Sequence, residues 1–346
     1  MAAHRMTPRL TLAAGLLALA FGAGAQAAEL PGEGREIRLA RVNWDGAWFA
    51  SSVYRRVLEK LGYEVERPVT LDNPPFYSSV AQGDVDFWVD GWFPLHDTYE
   101  STFTRGAEKI GYLVKAGALQ GYLVDKKSAE KYGITNLADF KRPEVKEAFD
   151  ADRDGRADMV ACPPGWGCEL VIEHQMETYG LAEHINLIKA SYPAAMADAI
   201  SRFESGQPIL FYTWTPNWTI GVLPPGEEVV WIEVPEPSLP EDQSQYLDKT
   251  VVAGVEGCVD DPCEMGWPAN DLRPVANSAF LDENPAVRRL LEVMSIPLDD
   301  ISAQNARMNA GEDSEKDILR HADEWIEANR EQVGAWLAEA RAAAGS

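Results

Sequence analysis

The chain has 346 residues and a formal charge of −24 at pH 7, with 55 acidic against 31 basic side chains. A protein this acidic lacks the basic face that nucleic acids and anionic lipids require, and it cannot attract an anionic solute by charge alone. A cationic or zwitterionic solute is compatible with the charge. The same acidity is typical of adaptation to a salty exterior, where charges are screened over only a few ångström.

The first 27 residues have the pattern of a signal peptide. Arg5 and Arg9 precede an apolar run over residues 10–21 that is too short to span a bilayer as a helix. Ala25-Gln26-Ala27 supplies the small residues of a cleavage site, which we place after Ala27; a retained N-terminal anchor is the alternative. No Cys follows the run, so a lipid anchor is not supported. We therefore expect a periplasmic protein of about 320 residues, which is enough for two domains.

Strand and helix patterns alternate along the rest of the chain. The first predicted elements are, in order, strand EIRLARVNW, helix AWFASSVYRRVLEKLG, strand YEVERPVT, short helix PFYSSVAQG, buried strand DVDFWVDGW and helix PLHDTYESTF. GALQGYLVDKK has the character of a crossing strand. A second set follows, with helix SAEKYG, a helix over residues 168–179, strand INLIKASY, helix PAAMADAISRFESG and strand PILFYTW.

Residues 223–268 are rich in Pro, Glu, Asp and Gly, which predicts a long irregular excursion. DLRPVANSAF and a helical tail over residues 285–344 complete the chain, and apolar residues recur in the tail at the spacing of amphipathic helices. The strand–helix alternation predicts parallel sheets covered by helices. Two such α/β lobes joined by crossing strands leave a cleft, which is where ligands bind in this architecture.

Trp92, Trp166 and Trp214 lie far apart in the sequence, each among turn-forming residues rather than in an apolar run. Indole faces brought together from separate loops suit a cation that donates no hydrogen bonds, because each face attracts a quaternary ammonium ion by up to about 2 kcal/mol once water is excluded. The alternative is that these side chains only pack in the core or line a domain interface.

The four cysteines of an exported chain predict two disulfides, for which three pairings are formally possible. Cys162 with Cys168 and Cys258 with Cys263 are close in sequence, and Pro or Gly helps each chain segment to turn back. We favour these two local pairs. Metal binding is the alternative, although the five histidines show no ligand spacing near the cysteines.

A D-x-D-x-D-G sequence places Asp150, Asp152 and Asp154 around a glycine turn, with Asp158 at the ninth position. This spacing is typical of calcium loops, which need several oxygen ligands around a tight turn. The twelfth position is Ala161 rather than the bidentate Glu of an EF-hand. Two interpretations remain open, a structural calcium site outside the ligand cleft and an acidic turn without metal. No other cofactor is expected.

Motifs of one family occur in order through nearly the whole chain after residue 27. They are ELPGEG, VLEKLGYEV, W-x-P-L-H-D at Trp92, QGYLVDKK, DGRADM, PGWGCE, YPAAMADAISRFESG, FYTWTP, VVWIEVP, ENPAVRRLLEVM and ISAQNARMNAGE. With these motifs the chain resembles the periplasmic glycine betaine/proline betaine-binding proteins of ABC importers. Residues 243–265, which contain Cys258 and Cys263, depart from the family pattern.

The resemblance implies a two-lobed α/β binding protein of type II-like architecture that closes about a hinge, each lobe a mixed sheet flanked by helices. Residues 28–118 and 264–346 would form lobe A, and residues 119–263 would form lobe B. The family's tryptophan box carries over onto Trp92, Trp166 and Trp214. Its carboxylate contacts carry over onto His96 and the backbone N–H groups of Gly167 and Cys168.

The residues support these roles independently. His96 lies one helical turn after Trp92, so both side chains can face one cleft, and a bound carboxylate would favour the protonated, donating imidazole. A helix predicted to begin at Cys168 leaves the N–H groups of Gly167 and Cys168 without intrahelical partners at the positive end of its dipole. A Cys162–Cys168 bridge would hold this turn in place before the ligand arrives.

We therefore expect a monomeric, non-catalytic binding protein that delivers glycine betaine, with proline betaine as a second candidate, to a membrane permease. Choline, carnitine and dimethylsulfoniopropionate share an onium head and are not ranked by sequence. The alternative class is a secreted carbohydrate-binding protein or glycoside hydrolase, since tryptophan platforms also stack on sugars. Paired catalytic carboxylates beside the tryptophans would favour that class, and the loops offer a histidine and backbone donors instead.

Overall fold

The computed structural model describes residues 1–2, 30–44 and 46–345. The predicted signal peptide, apart from its first two residues, and its cleavage point after Ala27 lie outside the described residues. Among the helices of the described part, none is long and apolar enough to cross a membrane.

The first part of the chain builds most of lobe A, which we define as the sheet around the Phe87–Phe93 strand and the elements packed on it. Its strands are β1 Glu36–Ile37, β2 Ala40–Arg41, β3 Glu64–Val65, β4 Val69–Thr70, β5 Phe87–Phe93, β6 Ala107–Lys109 and β7 Val114–Ala118. Its helices are α1 Gly46–Glu59, α2 Asn73–Gln82 and α3 Glu100–Phe103, with a 3-10 helix at Leu95–Tyr99.

The second part builds lobe B, the five-stranded sheet and its helices. Its strands are β8 Gln120–Asp125, β9 Ala157–Val160, β10 Ile185–Ile188, β11 Leu210–Trp214 and β12 Val229–Ile232, followed by the short pair β13 Val251–Val252 and β14 Cys263–Glu264. The helices are α4 Lys126–Tyr132, α5 Pro143–Phe149, α6 Gly167–Thr178, α7 Tyr192–Glu204 and α8 Thr219–Val222, with 3-10 helices at Leu137–Lys141 and Glu241–Lys249.

The chain then returns to lobe A. It adds strand β15 Asn270–Asn277 and helices α9 Ser278–Glu283, α10 Pro285–Val293, α11 Leu298–Asn309, α12 Glu315–Ala328 and α13 Arg330–Ala343. The predicted tail is thus helical, as four separate helices, and its apolar residues Ile318, Val333 and Trp336 are buried while Trp325 is half-buried. α1 packs on α11 and α12, and α10 packs on α13, which covers one face of lobe A.

The two main sheets are mixed in strand direction. In lobe A, β15 pairs antiparallel with β5, β6 and β7. In lobe B the order is β10-β9-β11-β8-β12, parallel among the first three strands and antiparallel at the last two pairings. The prediction of parallel sheets is therefore wrong for lobe A, because its central strand arrives from lobe B rather than through a local crossover helix.

The structure corrects the prediction for residues 223–268 and assigns an element to the segment that follows them. Residues 223–268 are not irregular throughout, because VVWI forms the edge strand β12, buried against β8. DLRPVANSAF, to which no element type was assigned, contributes the central strand of lobe A. Its Pro274 cannot donate to a sheet ladder, and the pairing of β15 with β5 shifts register between Arg273 and Val275, on either side of that proline.

Candidate functional site

Tryptophans from both lobes converge on one cavity between them. Trp92 ends β5 in lobe A, Trp166 is the residue before α6 in lobe B, and Trp214 ends β11. The empty space of the cavity, its opening to solvent included, is about 280 Å³, and its lining consists of Trp44, Asn73, Trp92, Leu95, His96, Gln120, Trp166, Gly167, Cys168, Tyr212 and Trp214. All six residues predicted for the ligand site therefore line the same space.

The indoles meet edge to face. The Trp166 ring centroid lies 5.4 Å from that of Trp214 with an interplanar angle of 80°, and 5.2 Å from that of Trp44 at 69°. Tyr192 packs behind Trp214 at 4.7 Å between centroids. Edge-to-face packing fixes the ring planes, so that aromatic surface faces the cavity from several directions before any ligand is present.

Backbone donors lie at the start of α6. Gly167 and Cys168 occupy its first positions, where N–H groups have no intrahelical acceptor. A Cβ on Gly167 would stand 3.1 Å from both His96 Cδ2 and Leu95 Cγ, so glycine allows α6 to approach the 3-10 helix of lobe A closely. These donors therefore lie beside the His96 ring at one wall of the cavity.

His96 is buried, which favours the neutral ring when no ligand is bound; its protonation beside a bound carboxylate stays a prediction. Burial lowers the pKa of His96 to about 3. Its Nδ1 accepts the Trp92 backbone N–H at 3.2 Å and lies 2.7 Å from the Tyr77 hydroxyl. With Nδ1 accepting, the ring proton is on Nε2. The atom 3.1 Å from Nε2 is Asn73 Nδ2, which is also a donor, so in this tautomer the two nitrogens do not hydrogen-bond each other. A neutral ring still offers one donor. Trp92 and His96 do not lie on one helix, as the sequence spacing had suggested. Trp92 lies in β5, and His96 lies in the 3-10 helix that follows it.

Several polar atoms of the cavity wall lack partners. Among the described residues, Asn73 Oδ1, Trp92 Nε1 and Gln120 Nε2 are buried without a hydrogen bond. Buried polar groups are rarely left unpaired, since each costs about 1–3 kcal/mol. Their presence around one cavity is what a site for a polar ligand, or for ordered water, would show.

The disulfides pair as predicted, Cys162 with Cys168 and Cys258 with Cys263. The first joins the end of β9 to the first turn of α6, directly beside Trp166. Glu169 adds a second tie, because its carboxylate accepts the Gly165 N–H at 2.9 Å. The turn that carries Trp166 and the two backbone donors is therefore held from both sides.

Five of the residues that line the cavity were not predicted, Trp44, Asn73, Leu95, Gln120 and Tyr212. Trp44 was inside a segment assigned to a strand, but the strand ends at Arg41 and Trp44 lies in the turn before α1. Its Asn, Asp and Gly neighbours are the same turn signal that marked the other tryptophans. Asn73, Gln120 and Tyr212 have no such signal, because polar residues next to strands and helices are common.

Behind Trp44 lies a buried carboxyl group, Asp90 of β5. Trp44 Nε1 donates to Asp90 Oδ2 at 2.7 Å, whereas Asp90 Oδ1 has no hydrogen-bond partner among the described residues. Burial raises the pKa of Asp90 to about 7, a rise that the neighbouring Trp44 and Trp92 indole N–H groups limit. The Trp92 N–H is near Asp90 but not aligned as a hydrogen bond.

The acidic loop lies outside the cavity. Oxygens of Asp150, Asp152 and Asp158 lie within 4.8 Å of one another, a spacing suited to a metal ion. Asp154 does not join them, because its carboxylate pairs with Arg156. The carboxylates also accept backbone N–H groups within the loop, as an acidic turn without metal would. Calcium binding stays a prediction.

Comparison with known proteins gives a consistent family. The sequence model of a protein family, the substrate binding domain of ABC-type glycine betaine transport systems, matches residues 35–328 of this chain. The chain is 42% identical over 324 residues to the glycine betaine/proline betaine-binding periplasmic protein of Salmonella typhimurium, covering 93% of this chain and 95% of the relative. It is 41% identical over 321 residues to the Escherichia coli protein of the same name, covering 92% and 93%.

The fold comparison agrees. The crystal structure of lactococcal OpuAC, closed and complexed with glycine betaine, superposes with a TM-score of 0.67 at 18% identity, over 88% of this chain and 99% of the other. At that identity the likeness concerns the fold, a two-lobed α/β architecture. The family match, together with the two periplasmic relatives, extends along nearly all of the chain described here. The chain belongs to the substrate-binding domain family of ABC-type glycine betaine transport systems.

Proposed function

We propose that the protein binds glycine betaine, with proline betaine as a second ligand, in the cavity between its lobes. One observation carries the proposal: Trp92, Trp166 and Trp214 line the same cavity as His96 and the free N–H groups of Gly167 and Cys168. The indole faces would hold the quaternary ammonium head by cation–π attraction. The donors would hold the carboxylate, at the N-terminus of α6.

The two ends of the site match the two charges of the ligand. A betaine carries no hydrogen-bond donor at its cationic end, so an aromatic wall desolvates that end without leaving a donor unpaired. Its carboxylate accepts several hydrogen bonds, and charge-assisted bonds from neutral donors contribute about 1.5–3 kcal/mol each. A neutral His96 Nε2–H serves as one such donor. Gln120 Nε2 supplies a further unpaired donor in the cavity wall, whereas the unpaired atom of Asn73 is its acceptor Oδ1.

Ligand binding would favour the closed arrangement of the lobes, since the cavity takes its walls from both. The closed form would then dock on a membrane permease of the ABC type. In this proposal the protein is exported through its first 27 residues with cleavage after Ala27, acts as a monomer in the periplasm and carries out no catalytic step.

A carbohydrate-binding or glycoside hydrolase function is not supported. Hydrolysis of a glycosidic bond needs two carboxyl groups flanking the sugar. Among the described residues that line the cavity there is no Asp or Glu. The family and its relatives named above are transport proteins.

Thermal shift and titration calorimetry test the function. Glycine betaine and proline betaine should each raise Tm in proportion to the logarithm of their concentration, with a dissociation constant obtained by calorimetry. Glucose, maltose and cello-oligosaccharides, at the same concentrations, should leave Tm unchanged. A sugar that stabilises the protein while both betaines have no effect would overturn the proposal.

A further inference from the structure

A second, smaller cavity lies behind the tryptophan box and contains Asp90. Its empty space, any opening to solvent included, is about 210 Å³, and it shares Trp44, Trp92 and Trp214 with the main cavity. Asp90 is 4% exposed and hydrogen-bonds Trp44 through Oδ2, while Oδ1 lies unpaired. The carboxyl group is therefore separated from the ligand space only by the indoles whose other surfaces line that space.

Nothing that lines this second cavity compensates a charge on Asp90. The remaining lining residues are apolar or uncharged, and the N-terminal residue of α1, Gly46, brings only the partial positive charge of a helix start. Of the titratable groups on neighbouring elements, His96 of the 3-10 helix is neutral, and burial raises the pKa of Tyr77 of α2 well above its ordinary value.

The cations on the strands packed against β5 are engaged elsewhere. Arg41 of β2 lies over the Trp48 ring and contacts Thr70. Arg273 of β15 lies over the Tyr112 ring and donates to the Gly111 carbonyl. Asp45, which precedes α1, lies outside the described residues. Among the described residues Asp90 is thus a buried acid without a cationic partner, and burial raises its pKa to about 7.

We propose, on the basis of the betaine-binding function above, that Asp90 is the counter-ion of the tryptophan box and determines its preference for a cationic head group. A quaternary ammonium ion in the box would favour the ionised carboxylate across the shared indoles, because charges buried among apolar rings are weakly screened. The carboxylate would also accept the Trp44 N–H more strongly, which increases the negative charge of the indole face. Asp90 is then a positioning residue that acts through Trp44 and Trp92.

The proposal predicts the direction in which betaine affinity changes with pH. Below the pKa of Asp90, ligand binding shifts its carboxyl from protonated to ionised, and the proton is released to solvent. Betaine affinity should therefore rise with pH between 5 and 7, by at most about tenfold per pH unit for one proton, and level off above pH 8. The ligand has no group that titrates in this range, because its carboxylate is ionised well below pH 5. Uptake of a proton from solvent by His96, favoured by the bound carboxylate, would give the opposite sign.

Calorimetry of the full-length mature protein with glycine betaine tests this at pH 5, 6, 7 and 8, in two buffers of different ionisation enthalpy. The unmodified protein should release up to one proton per ligand at pH 6 and close to none at pH 8. Asp90→Asn keeps the size of the side chain and an acceptor for Trp44, and should bind more weakly at pH 8, with affinity independent of pH. Asp84→Asn removes an exposed carboxylate that lines neither cavity and is the matched control.

Trp44→Phe is the second variant, which keeps an aromatic face but deletes the N–H that donates to Asp90. Without that donor the pKa of Asp90 should rise further, so the pH at which affinity levels off should move upward. Proton uptake on binding, or a pH dependence that persists in Asp90→Asn, would overturn the role of Asp90. Absence of betaine binding at every pH would instead overturn the proposed function itself.

Discussion

Trp166 Nε1 donates a hydrogen bond to Asn43 Oδ1 across the cleft, at 2.8 Å, joining the residue before α6 in lobe B to the turn before α1 in lobe A. The bond fixes the orientation of an indole that packs edge to face with Trp44 on one side and Trp214 on the other. Trp166 is therefore the point at which both lobes and both walls of the tryptophan box meet.

Replacing Trp166 by Ala should weaken glycine betaine binding by about thirtyfold. The change removes one desolvated indole face, worth up to about 2 kcal/mol, and the bond to Asn43 with it. Trp166→Phe should lose less, because it keeps a ring. Titration calorimetry measures the affinity and circular dichroism verifies the fold. Tyr132→Ala, an aromatic of α4 away from the cavity, is the control; unchanged affinity in Trp166→Ala would remove Trp166 from the site.

Loss of the Cys162–Cys168 bridge should impair binding more than folding. The bridge holds the turn that carries Trp166 and the N–H groups of Gly167 and Cys168, so without it part of the binding energy is used to order that turn. The loop is short, and its removal should cost only about 2–3 kcal/mol of stability. Replacement of both cysteines by Ser should raise the dissociation constant for betaine.

The Cys258–Cys263 bridge provides the matched control, because it closes a loop of similar length outside the cavity. Its double Ser variant should show a similar loss in Tm with unchanged betaine affinity. Equal affinity in both double variants would show that the first bridge has no part in preorganising the site.

The three tryptophans could be predicted as site residues from the sequence, because turn-forming residues around an aromatic side chain are a local pattern. The disulfides could be predicted as well, since each pair is separated by few residues. Asp90 could not be identified in this way. It follows a hydrophobic run and lies in the middle of β5. Its raised pKa comes from burial by residues of other segments and is limited by the hydrogen bond from Trp44, 46 residues away.

Long-range pairing explains the errors in the fold. β15 runs antiparallel to its neighbours because the chain enters it from lobe B. The local pattern of apolar residues contains no information about that path. β12 is a four-residue strand within a Pro- and Glu-rich stretch, and it exists because β8 offers it a partner edge. The lowered pKa of His96 likewise follows from complete burial by residues of other segments, which no local pattern in the sequence shows.

Choline should bind at least about tenfold more weakly than glycine betaine. Both ligands present a trimethylammonium head, so the indoles do not distinguish them, but choline has a hydroxyl where betaine has a carboxylate. The N–H groups of Gly167 and Cys168 then lose charge-assisted bonds worth about 1.5–3 kcal/mol each. His96→Ala should narrow the difference by weakening betaine more than choline, and His184→Ala, outside the cavity, should not. Equal affinities for the two ligands in the unmodified protein would show that the carboxylate site is misplaced.

Calcium should raise Tm if the acidic loop is a metal site. Asp150, Asp152 and Asp158 already lie close enough to share one ion, whereas Asp154 is paired with Arg156. Asp150→Asn should therefore abolish a calcium-dependent rise in Tm, and Asp154→Asn should retain it. Betaine affinity should be the same with calcium or with a chelator, because the loop is outside the cavity. An unchanged Tm in millimolar calcium would leave the loop as an acidic turn.

Asp90 should also make the ligand-free protein less stable as the pH rises. Its pKa is about 7 in the folded state against 3.8 for the unfolded chain, so the unfolded chain binds fewer protons between these values and stability falls across that window. Below pH 3.8 both states are protonated and Asp90 contributes nothing; above pH 7 the full cost of the buried charge remains, with an upper limit of roughly 4 kcal/mol. Asp90→Asn should therefore gain stability relative to the unmodified protein from pH 5 to pH 8, as measured by urea unfolding without betaine. In the difference between the free energies of unfolding of the two proteins, the contributions of the other titrating groups cancel. A fixed cost of burying the amide does not affect how that difference changes with pH. A difference that does not change over this range would mean that Asp90 is ionised already at pH 5.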